Sequence, residues 1–543
     1  MAGCAPVCFD AGPSAIADFA RLARGAELRI GADVLARVER GRELAGRLVE
    51  SARARGEPIY GLSTGVGDLY DQVGAPQDPA GAQMGLLRSH ACAVGRPHGQ
   101  AAVRAIMGAQ IKALAQGRSA ARPVLIETMA QMLNRGVVPI APSQGSVGYL
   151  TATAHIGLAV FGEGEAWFAG RRLAAAEALA AAGIAGLSPG PREGLALISG
   201  TYEISGIGAL AAHAARGLVG VADLAAAMSL EALRGNTRGY DARVQSMRPH
   251  PGQIETARRL RALLAGSQIV AANRAHRLHD PLSLRCVPQV HGSVRDALDY
   301  VETALTTELN AVTDNPVFVV AGEGAEALAS LSDADAAGFG GERAGEGAEA
   351  LALPNGNGHG APVALALDLL AIAVAEISTM SQARSDRLTN AHVSELPPFL
   401  AGGAAGMCGL MIPPYAAAAL AAENRALASP ATVHTTSTCA GQEDHVSMGT
   451  GAAVKARQAV ANAERIVAIE LLCAAQALEF HRPALPGAAT GAAYQLIRDR
   501  VPPRDTDRFM APDVEAVWEL VAGGALDRLV ERHVAEGGGK NGP

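Results

Sequence analysis

The sequence is poor in aromatic side chains and in lysine. Aromatic residues make up 3% of the 543 residues, and lysine is nearly absent. Hydrophobic residues reach 49%, and alanine dominates among them. Because alanine and leucine favour close-packed helices, whereas sheets are rich in β-branched and aromatic residues, the composition favours a mainly α fold.

The cysteines and the charges exclude several classes of protein. Seven cysteines are scattered without a CxxC pair, so we expect reduced, buried thiols and neither a disulfide framework nor a metal site. The net charge of -7 and the lack of a lysine and arginine cluster argue against a nucleic-acid partner. The first residues do not follow the basic-then-apolar pattern of a secretory signal.

One uncharged run, residues 399–422, is long enough to raise the question of a membrane span. It contains four glycines and the pair Pro413-Pro414, which break a helix, so we expect a buried, interrupted segment. The sequence therefore predicts a cytoplasmic protein without membrane contacts.

Apolar residues recur three and four positions apart over long stretches, which predicts a bundle of long helices. We expect a loop-rich N-terminal domain over residues 1–190 and a helical bundle over 191–535. Residues 321–353, rich in Gly, Ala, Ser and acids, are predicted to be a mobile insertion, and 536–543 a disordered tail. The predicted helices cover residues 34–54, 101–135, 204–234, 294–312, 362–387 and 445–480.

The segments that carry chemical information are rich in glycine and proline and lie between the predicted helices. In their order along the chain they resemble the aromatic amino acid lyases, and histidine ammonia-lyases most closely. The resemblance implies an ammonia-lyase/fumarase-like long-helix bundle and a homotetramer whose sites are shared between subunits. The segments are residues 60–67, 89–91, 145–148, 193–201, 283–292, 308–316, 357–360 and 442–448.

One departure from the family concerns its electrophilic prosthetic group. In the family, Gly-Ser-Val-Gly is followed by Ala-Ser-Gly, which cyclises into a methylidene-imidazolone. Here residues 145–148 are followed at once by Tyr149-Leu150, and alignment on His155 requires a gap of three residues. The resemblance therefore implies a member without this prosthetic group. Related changes replace the family's Phe by Gly358 and its second catalytic tyrosine by Leu282.

The resemblance also implies roles for the residues that remain. Tyr60 would remove the β-proton, and Arg285 would bind the substrate carboxylate with its planar fork. Ser199 stands where the family has an asparagine that contacts cofactor and substrate. The positions that would bind the imidazole ring or support it are Glu443, Met411, His90, Asn315 and Asn357.

Some of these interpretations stay open. His90 is either a ligand contact or a hydrogen-bonded structural histidine. Tyr149 and Tyr202 either contact the substrate or fill the volume that the prosthetic group vacates. If they contact it, their rings and Glu203 would suit a quaternary ammonium group, which binds through cation–π and charge contacts.

A lyase without the electrophile needs a substrate whose nitrogen is already a good leaving group. We therefore expect a cofactor-independent 1,2-elimination on a histidine betaine. The products would be thiourocanate from ergothioneine, as in the ergothionase branch of the family, or urocanate from hercynine, each with trimethylamine. Two alternatives remain: a histidine ammonia-lyase-like lyase or mutase on another aromatic amino acid, and an inactive binding subunit.

The missing tripeptide predicts the mass of the purified protein. Because no Ala-Ser-Gly occurs in the chain, no cyclisation should take place and the intact mass should equal that of the encoded sequence. Mass spectrometry measures this directly. A deficit of two waters, or inactivation by borohydride or cyanide, would contradict the prediction.

Overall fold

The computed structural model describes residues 5–74, 78–320, 350–402 and 406–538. They form two compact units built from interleaved segments, whereas the sequence suggested one boundary near residue 190. The first unit runs to Leu210 and continues with Glu302–Leu365 and Ala431–Val454; the second contains the rest. Most of the predicted insertion, residues 321–349, lies outside the described residues, and so do residues 539–543.

The mainly α fold is confirmed, and its longest helices lie where the sequence predicted them. They are rich in alanine and leucine and contain no proline beyond the first turn, where proline is tolerated. The chain passes between the two units inside four of them, which are Tyr202–Ala232, Val287–Leu309, Ala361–Thr389 and Gly449–Leu478.

Three predicted boundaries were wrong for local reasons. Residues 101–135 form two helices because Gly117, with φ +72°, and Pro123 interrupt the run. The last long helix begins at Gly449, after Met448 has taken a positive φ of 53°. Ala525–Gly538 is helical where a tail was expected from residue 536, since its buried Val530 and Val534 anchor the final turns.

Short strands that the sequence did not reveal are found in the first unit. Strands of two to four residues are too short to show a period of two. Val7–Phe9 pairs in parallel with Leu28–Ile30. The antiparallel pairs join Val94–Pro97 to Pro142–Gln144, Val138–Pro139 to Glu165–Phe168, Glu165–Phe168 to Arg171–Ala174, and Val317–Val320 to Ala350–Leu353.

The remaining helices complete both units. In the first unit they are Ile16–Ala23, Ala32–Arg55, Pro79–His90, Gln100–Leu114, Pro123–Arg135, Thr151–Val160, Ala175–Ala181 and Glu193–Ile198. In the second they are Ala242–Ser246, Pro251–Leu263, Gln268–Ala272, Leu282–Arg285, Ala391–Ser394, Pro413–Leu427, Ala488–Arg498, Ala511–Ala522 and Ala525–Gly538.

Two helical stretches, Glu193–Ala232 and Ala361–Thr389, are long and apolar enough to cross a membrane by length and composition alone. In their most apolar windows, 78% and 67% of the residues are buried inside the protein, as in core helices. The uncharged run at 399–422 does not form a continuous helix: Phe399 has a φ of 53°, and a helix starts only at Pro413.

A buried ion pair joins three long helices within the second unit. The Arg384 guanidinium donates to both oxygens of Glu470, at 2.6 and 2.9 Å, and both side chains are fully buried. The Ser229 hydroxyl donates to the same carboxylate at 2.7 Å. Because an unpaired charge in such a place has no water to solvate it, each partner depends on the other.

We therefore predict that Arg384→Met alone destabilises the protein by roughly 3–5 kcal/mol, because it leaves the buried Glu470 carboxylate without an ion-pair partner. The double variant Arg384→Met/Glu470→Met should recover most of that loss. The measurement is urea denaturation, with Arg425→Met, an exposed arginine on another helix, as the matched control. Equal stability of Arg384→Met and Arg425→Met would refute the prediction.

Candidate active site

A cavity of about 350 Å³ in the first unit collects most of the residues that the sequence analysis selected. Its walls come from six separate stretches of the chain, so the fold and not the sequence spacing creates it. The lining residues are Tyr60, Val66, Gly67, Asp68, Leu69, His90, Tyr149, Leu150, Leu195, Ile198, Ser199, Asn315, Cys439 and Glu443.

Tyr60 is positioned by a tight turn that requires glycine at position 61. Gly61 has a φ of +67°, and a Cβ atom there would lie 2.5 Å from a methyl carbon of Leu195. The hydroxyl of Ser63 accepts a hydrogen bond from the backbone N–H of Ile59 at 2.8 Å. At the end of the turn the Gly67 N–H donates to the Tyr60 hydroxyl oxygen at 3.0 Å, which holds the phenol in the cavity.

An apolar cluster lies under the cavity and fixes His90 at its edge. Met84, Leu87, Ala154, Leu158, Leu195 and Ile198 form the cluster and bring three helices together. The helix Pro79–His90 ends there, and Nδ1 of His90 lies 2.8 Å from the Leu86 carbonyl oxygen. Because a carbonyl only accepts, Nδ1 is the donor in this contact; the Ser89 hydroxyl also lies 3.0 Å from it.

Hydrogen bonds within a buried polar network hold residues 145–150 in place. The Thr450 hydroxyl lies 3.0 Å from the Ser146 hydroxyl, 3.3 Å from the Gly148 carbonyl and 3.0 Å from the Glu203 carboxylate. The other oxygen of Glu203 bonds Nε2 of His98 at 2.9 Å, and both side chains are buried. The network fixes the backbone that precedes Tyr149.

Tyr149 fills the side of the cavity next to Gly358. A Cβ atom on Gly358 would meet the Tyr149 ring at 3.7 and 3.8 Å, which is ordinary contact distance. Burial raises the pKa of Tyr149 to about 12, and the negative charge of Glu443 and the proximity of Tyr60 act in the same direction. Tyr149 is therefore a neutral phenol at physiological pH.

Glu443, Ser199 and Asn315 reach the cavity as expected. The Thr438 hydroxyl donates to one Glu443 oxygen at 2.9 Å. The Asn315 N–H donates to the Ser199 hydroxyl at 3.1 Å. Asn357 does not line the cavity; its amide donates to the Val312 carbonyl at 3.1 Å and supports the neighbouring turn.

A buried ion pair fixes the turn that carries Asn315. The Arg192 guanidinium donates to both oxygens of Asp314, at 2.7 and 2.9 Å, and to the carbonyls of Ser119 and Pro316. Four hydrogen bonds from one planar group leave that turn little freedom.

Tyr202 and Glu203, for which a substrate contact was one of two alternatives, do not line this cavity. Tyr202 is 2% exposed, and its hydroxyl lies 2.9 Å from the Ser199 carbonyl and 3.1 Å from that of Ala196. Glu203 is engaged by His98 and Thr450. Both lie at the start of the helix Tyr202–Ala232, where the first turn points into the core, so neither lines the cavity.

Arg285 and Met411 belong to the second unit. Arg285 lines a separate cavity of about 240 Å³ together with Arg238, Asp280 and Gln289. Its Nε is buried and has no hydrogen-bond partner among the described residues. Met411 is half-buried, and the loop before it is held by Asp507, which accepts from the N–H groups of Cys408 and Gly409.

The sequence analysis did not select Asp68 and Cys439, two polar residues that line the cavity. Asp68 could have been found from its position directly after the turn that holds Tyr60.

The expectation of buried thiols was wrong in part. Cys439 is exposed, as are Cys8, Cys92 and Cys408. The cysteines in the described part of the chain are free thiols, but only Cys473 is fully buried and Cys286 partly so.

The residues at this site do not fit the methylidene-imidazolone of the family. The group needs Ala-Ser-Gly after Gly148, whereas the chain continues with Tyr149-Leu150 and enters a helix at Thr151. The Tyr149 ring lies against Gly358, and Leu150 has a φ of 85°. We therefore derive no step through that group.

The family model for aromatic amino acid lyases matches residues 15–499, and the chain belongs to that family. It is a carbon–nitrogen lyase, and enzymes of this family bind small amino acid substrates. It is 44% identical to the histidine ammonia-lyase of Symbiobacterium thermophilum, over 93% of this chain and 94% of that protein.

Two solved structures share the fold over nearly the whole chain. The histidine ammonia-lyase of Trypanosoma cruzi has a TM-score of 0.84 and 33% identity, covering 97% of this chain and 95% of that one. The ergothionase of Treponema denticola, in complex with desmethyl-ergothioneine sulfonic acid, has a TM-score of 0.83 and 27% identity, covering 96% and 99%.

The contact between Tyr149 and Gly358 predicts a size limit. A methyl group at position 358 would make ordinary contacts with the Thr313 carbonyl and the Tyr149 ring. Because the Tyr149 ring is this close, we expect a benzyl group there to overlap it. Gly358→Ala should therefore be tolerated, whereas Gly358→Phe should cost about 1–3 kcal/mol of stability through overpacking. Thermal denaturation with an activity assay measures both.

The double variant Tyr149→Ala/Gly358→Phe makes room for the new ring and should be more stable than Gly358→Phe alone. If the two substitutions were simply additive, the rings would not share that volume.

Proposed function

We propose that this protein is a lyase for a histidine-derived betaine, from which it eliminates trimethylamine without the family's electrophilic prosthetic group. The observation that carries the proposal is the loop at residues 145–150, where Tyr149 directly follows Gly148 and lies against Gly358. Hercynine would give urocanate, and ergothioneine would give thiourocanate.

The leaving group explains why such a substrate suits this site. A neutral amine leaves badly from carbon, and the family's electrophile overcomes that difficulty. A trimethylammonium group leaves as a neutral amine without further activation. A site whose residues do not fit the electrophile is therefore matched to a substrate that does not need it.

Within the cavity, Tyr60 is the proposed base. Its oxygen accepts the Gly67 N–H, a contact that also fits the deprotonated oxygen. Tyr60 takes the β-proton, the C–H electrons form the C=C bond, and the C–N electrons leave with trimethylamine. Glu443 and His90 would bind the imidazole ring, so that electron density can pass into it.

Arg285 is the proposed partner of the substrate carboxylate, supplied by another copy of the chain. Its planar guanidinium suits a bidentate contact with a carboxylate. It lines a cavity in the second unit, not the one that contains Tyr60. We therefore propose a homotetramer in which each site combines residues from different subunits.

The second candidate is ammonia release from unmodified histidine. The comparisons favour this activity by name, since a curated histidine ammonia-lyase is 44% identical and the ergothionase structure only 27%. The residues at 145–150 favour the betaine. The two candidate reactions use the same cavity, base and carboxylate partner. They differ in the substituents on the substrate nitrogen, which are methyl groups in the betaine and hydrogen atoms in histidine.

The deciding experiment incubates the purified protein separately with histidine, hercynine and ergothioneine. We expect trimethylamine together with the ultraviolet absorbance of the acrylate product from at least one betaine, and no ammonia from histidine. Efficient ammonia release from histidine would replace the betaine proposal by the second candidate. No turnover of any of the three would contradict both.

Variants test the roles on whichever substrate is turned over. Tyr60→Phe should abolish turnover and leave binding largely intact, since it removes a proton acceptor and little volume. Arg285→Lys should mainly raise KM, because an ammonium cannot make a bidentate carboxylate contact. Tyr70→Phe, a nearby exposed tyrosine outside the cavity, is the control for Tyr60. Near-normal turnover in Tyr60→Phe would remove Tyr60 from the role of base.

A further inference from the structure

The cavity carries negative charge that its own walls do not neutralise. Asp68 and Glu443 line it, and no arginine or lysine is among the lining residues of the described chain. Glu443 receives one hydrogen bond from Thr438. Among the described residues nothing donates to the Asp68 carboxylate. Such a composition favours a cationic ligand.

The backbone fixes Asp68 close to the proposed base. Gly67, the preceding residue, donates its N–H to the Tyr60 hydroxyl at 3.0 Å. The N–H of Asp68 itself donates to Sγ of Cys439 at 3.3 Å. Two successive N–H groups are thus held, one by Tyr60 and one by Cys439. These contacts fix the backbone of Asp68 beside the proposed base, and Asp68 lines the same cavity as Tyr60 and Tyr149.

The aromatic rings beside Asp68 distinguish between two kinds of cation. A primary ammonium needs oxygen acceptors for its three N–H groups, whereas a quaternary ammonium donates none and is held by aromatic faces and a nearby negative charge. Tyr60 and Tyr149 are the aromatic residues that line the cavity. Asp68 is an exposed residue whose carboxylate has no protein partner among the described residues, and together with two phenol rings it forms a set that suits a quaternary cation.

We propose that Asp68 binds the quaternary ammonium group of the substrate, between the rings of Tyr60 and Tyr149. This assignment rests on the proposed function, which supplies the cation. The substrate nitrogen is positive before the C–N bond breaks and leaves as a neutral amine. The contact with Asp68 is therefore strongest in the bound substrate and weakens as the amine forms.

A contact of this kind has a defined kinetic effect. Asp68→Asn should raise KM for the betaine by about tenfold and leave kcat unchanged or higher, because it removes binding that the transition state does not retain. Asp68→Glu keeps the charge and should restore most of the affinity. A fall in kcat at unchanged KM would overturn the assignment.

A binding experiment separates Asp68 from the question of the reaction. Calorimetry of the full-length protein with tetramethylammonium chloride should show binding that weakens by about tenfold in Asp68→Asn. Asp71→Asn, an exposed carboxylate three residues further on and outside the cavity, is the matched control and should bind as the parent does. Imidazolepropionate, which has the ring and the carboxylate but no amine, should bind the parent and Asp68→Asn equally.

The outcomes distinguish failure of Asp68 from failure of the proposed function. Ammonia release from histidine would overturn the betaine substrate, and the tetramethylammonium measurement would still decide the role of Asp68. Equal affinity of the parent and Asp68→Asn for tetramethylammonium, or no binding by the parent, would overturn the role of Asp68 even where trimethylamine release from a betaine is observed.

Discussion

The close contact between residues 145–150 and the start of the helix Gly449–Leu478 is the constraint on which the cavity depends. A Cβ atom on Gly148 would lie 2.5 Å from the Ser447 hydroxyl, so a larger residue would force Ser447 to move. The Met448 N–H donates to the Val147 carbonyl at 2.7 Å. These contacts hold Val147 and Gly148 beside the helix, and the next residue, Tyr149, lines the cavity.

The charges that the proposed substrate would need lie in two cavities, one in each unit. The first contains two carboxylates, two phenols and a histidine, which suit the cationic and ring ends of that substrate. The second contains Arg285 and Arg238, which suit a carboxylate. Neither set is sufficient for an amino acid betaine, and this division is the physical reason to propose an assembly of several subunits.

The sequence predicted the long helices because helical periodicity is a local pattern. Six of the residues that line the cavity, among them Tyr60, His90 and Glu443, were expected there from the resemblance to the aromatic amino acid lyases. The position of Tyr202 could not be predicted, because the direction of a helix's first turn depends on tertiary packing. The place of Asp68 in the cavity could not be predicted for a similar reason. An acidic residue after a turn is usually solvated, and only the fold brings Cys439 close to it and places it in the same cavity as Tyr149.

The contact between Tyr149 and Gly358 also limits how this site can evolve. Two residues that share one volume are epistatic, since the acceptable side chain at either position depends on the other. A large residue at 358 therefore requires a smaller side chain at 149. Either substitution made alone would leave the site overpacked or emptied. The present arrangement is thereby entrenched: selection can refine substrate binding around it far more easily than it can reverse it.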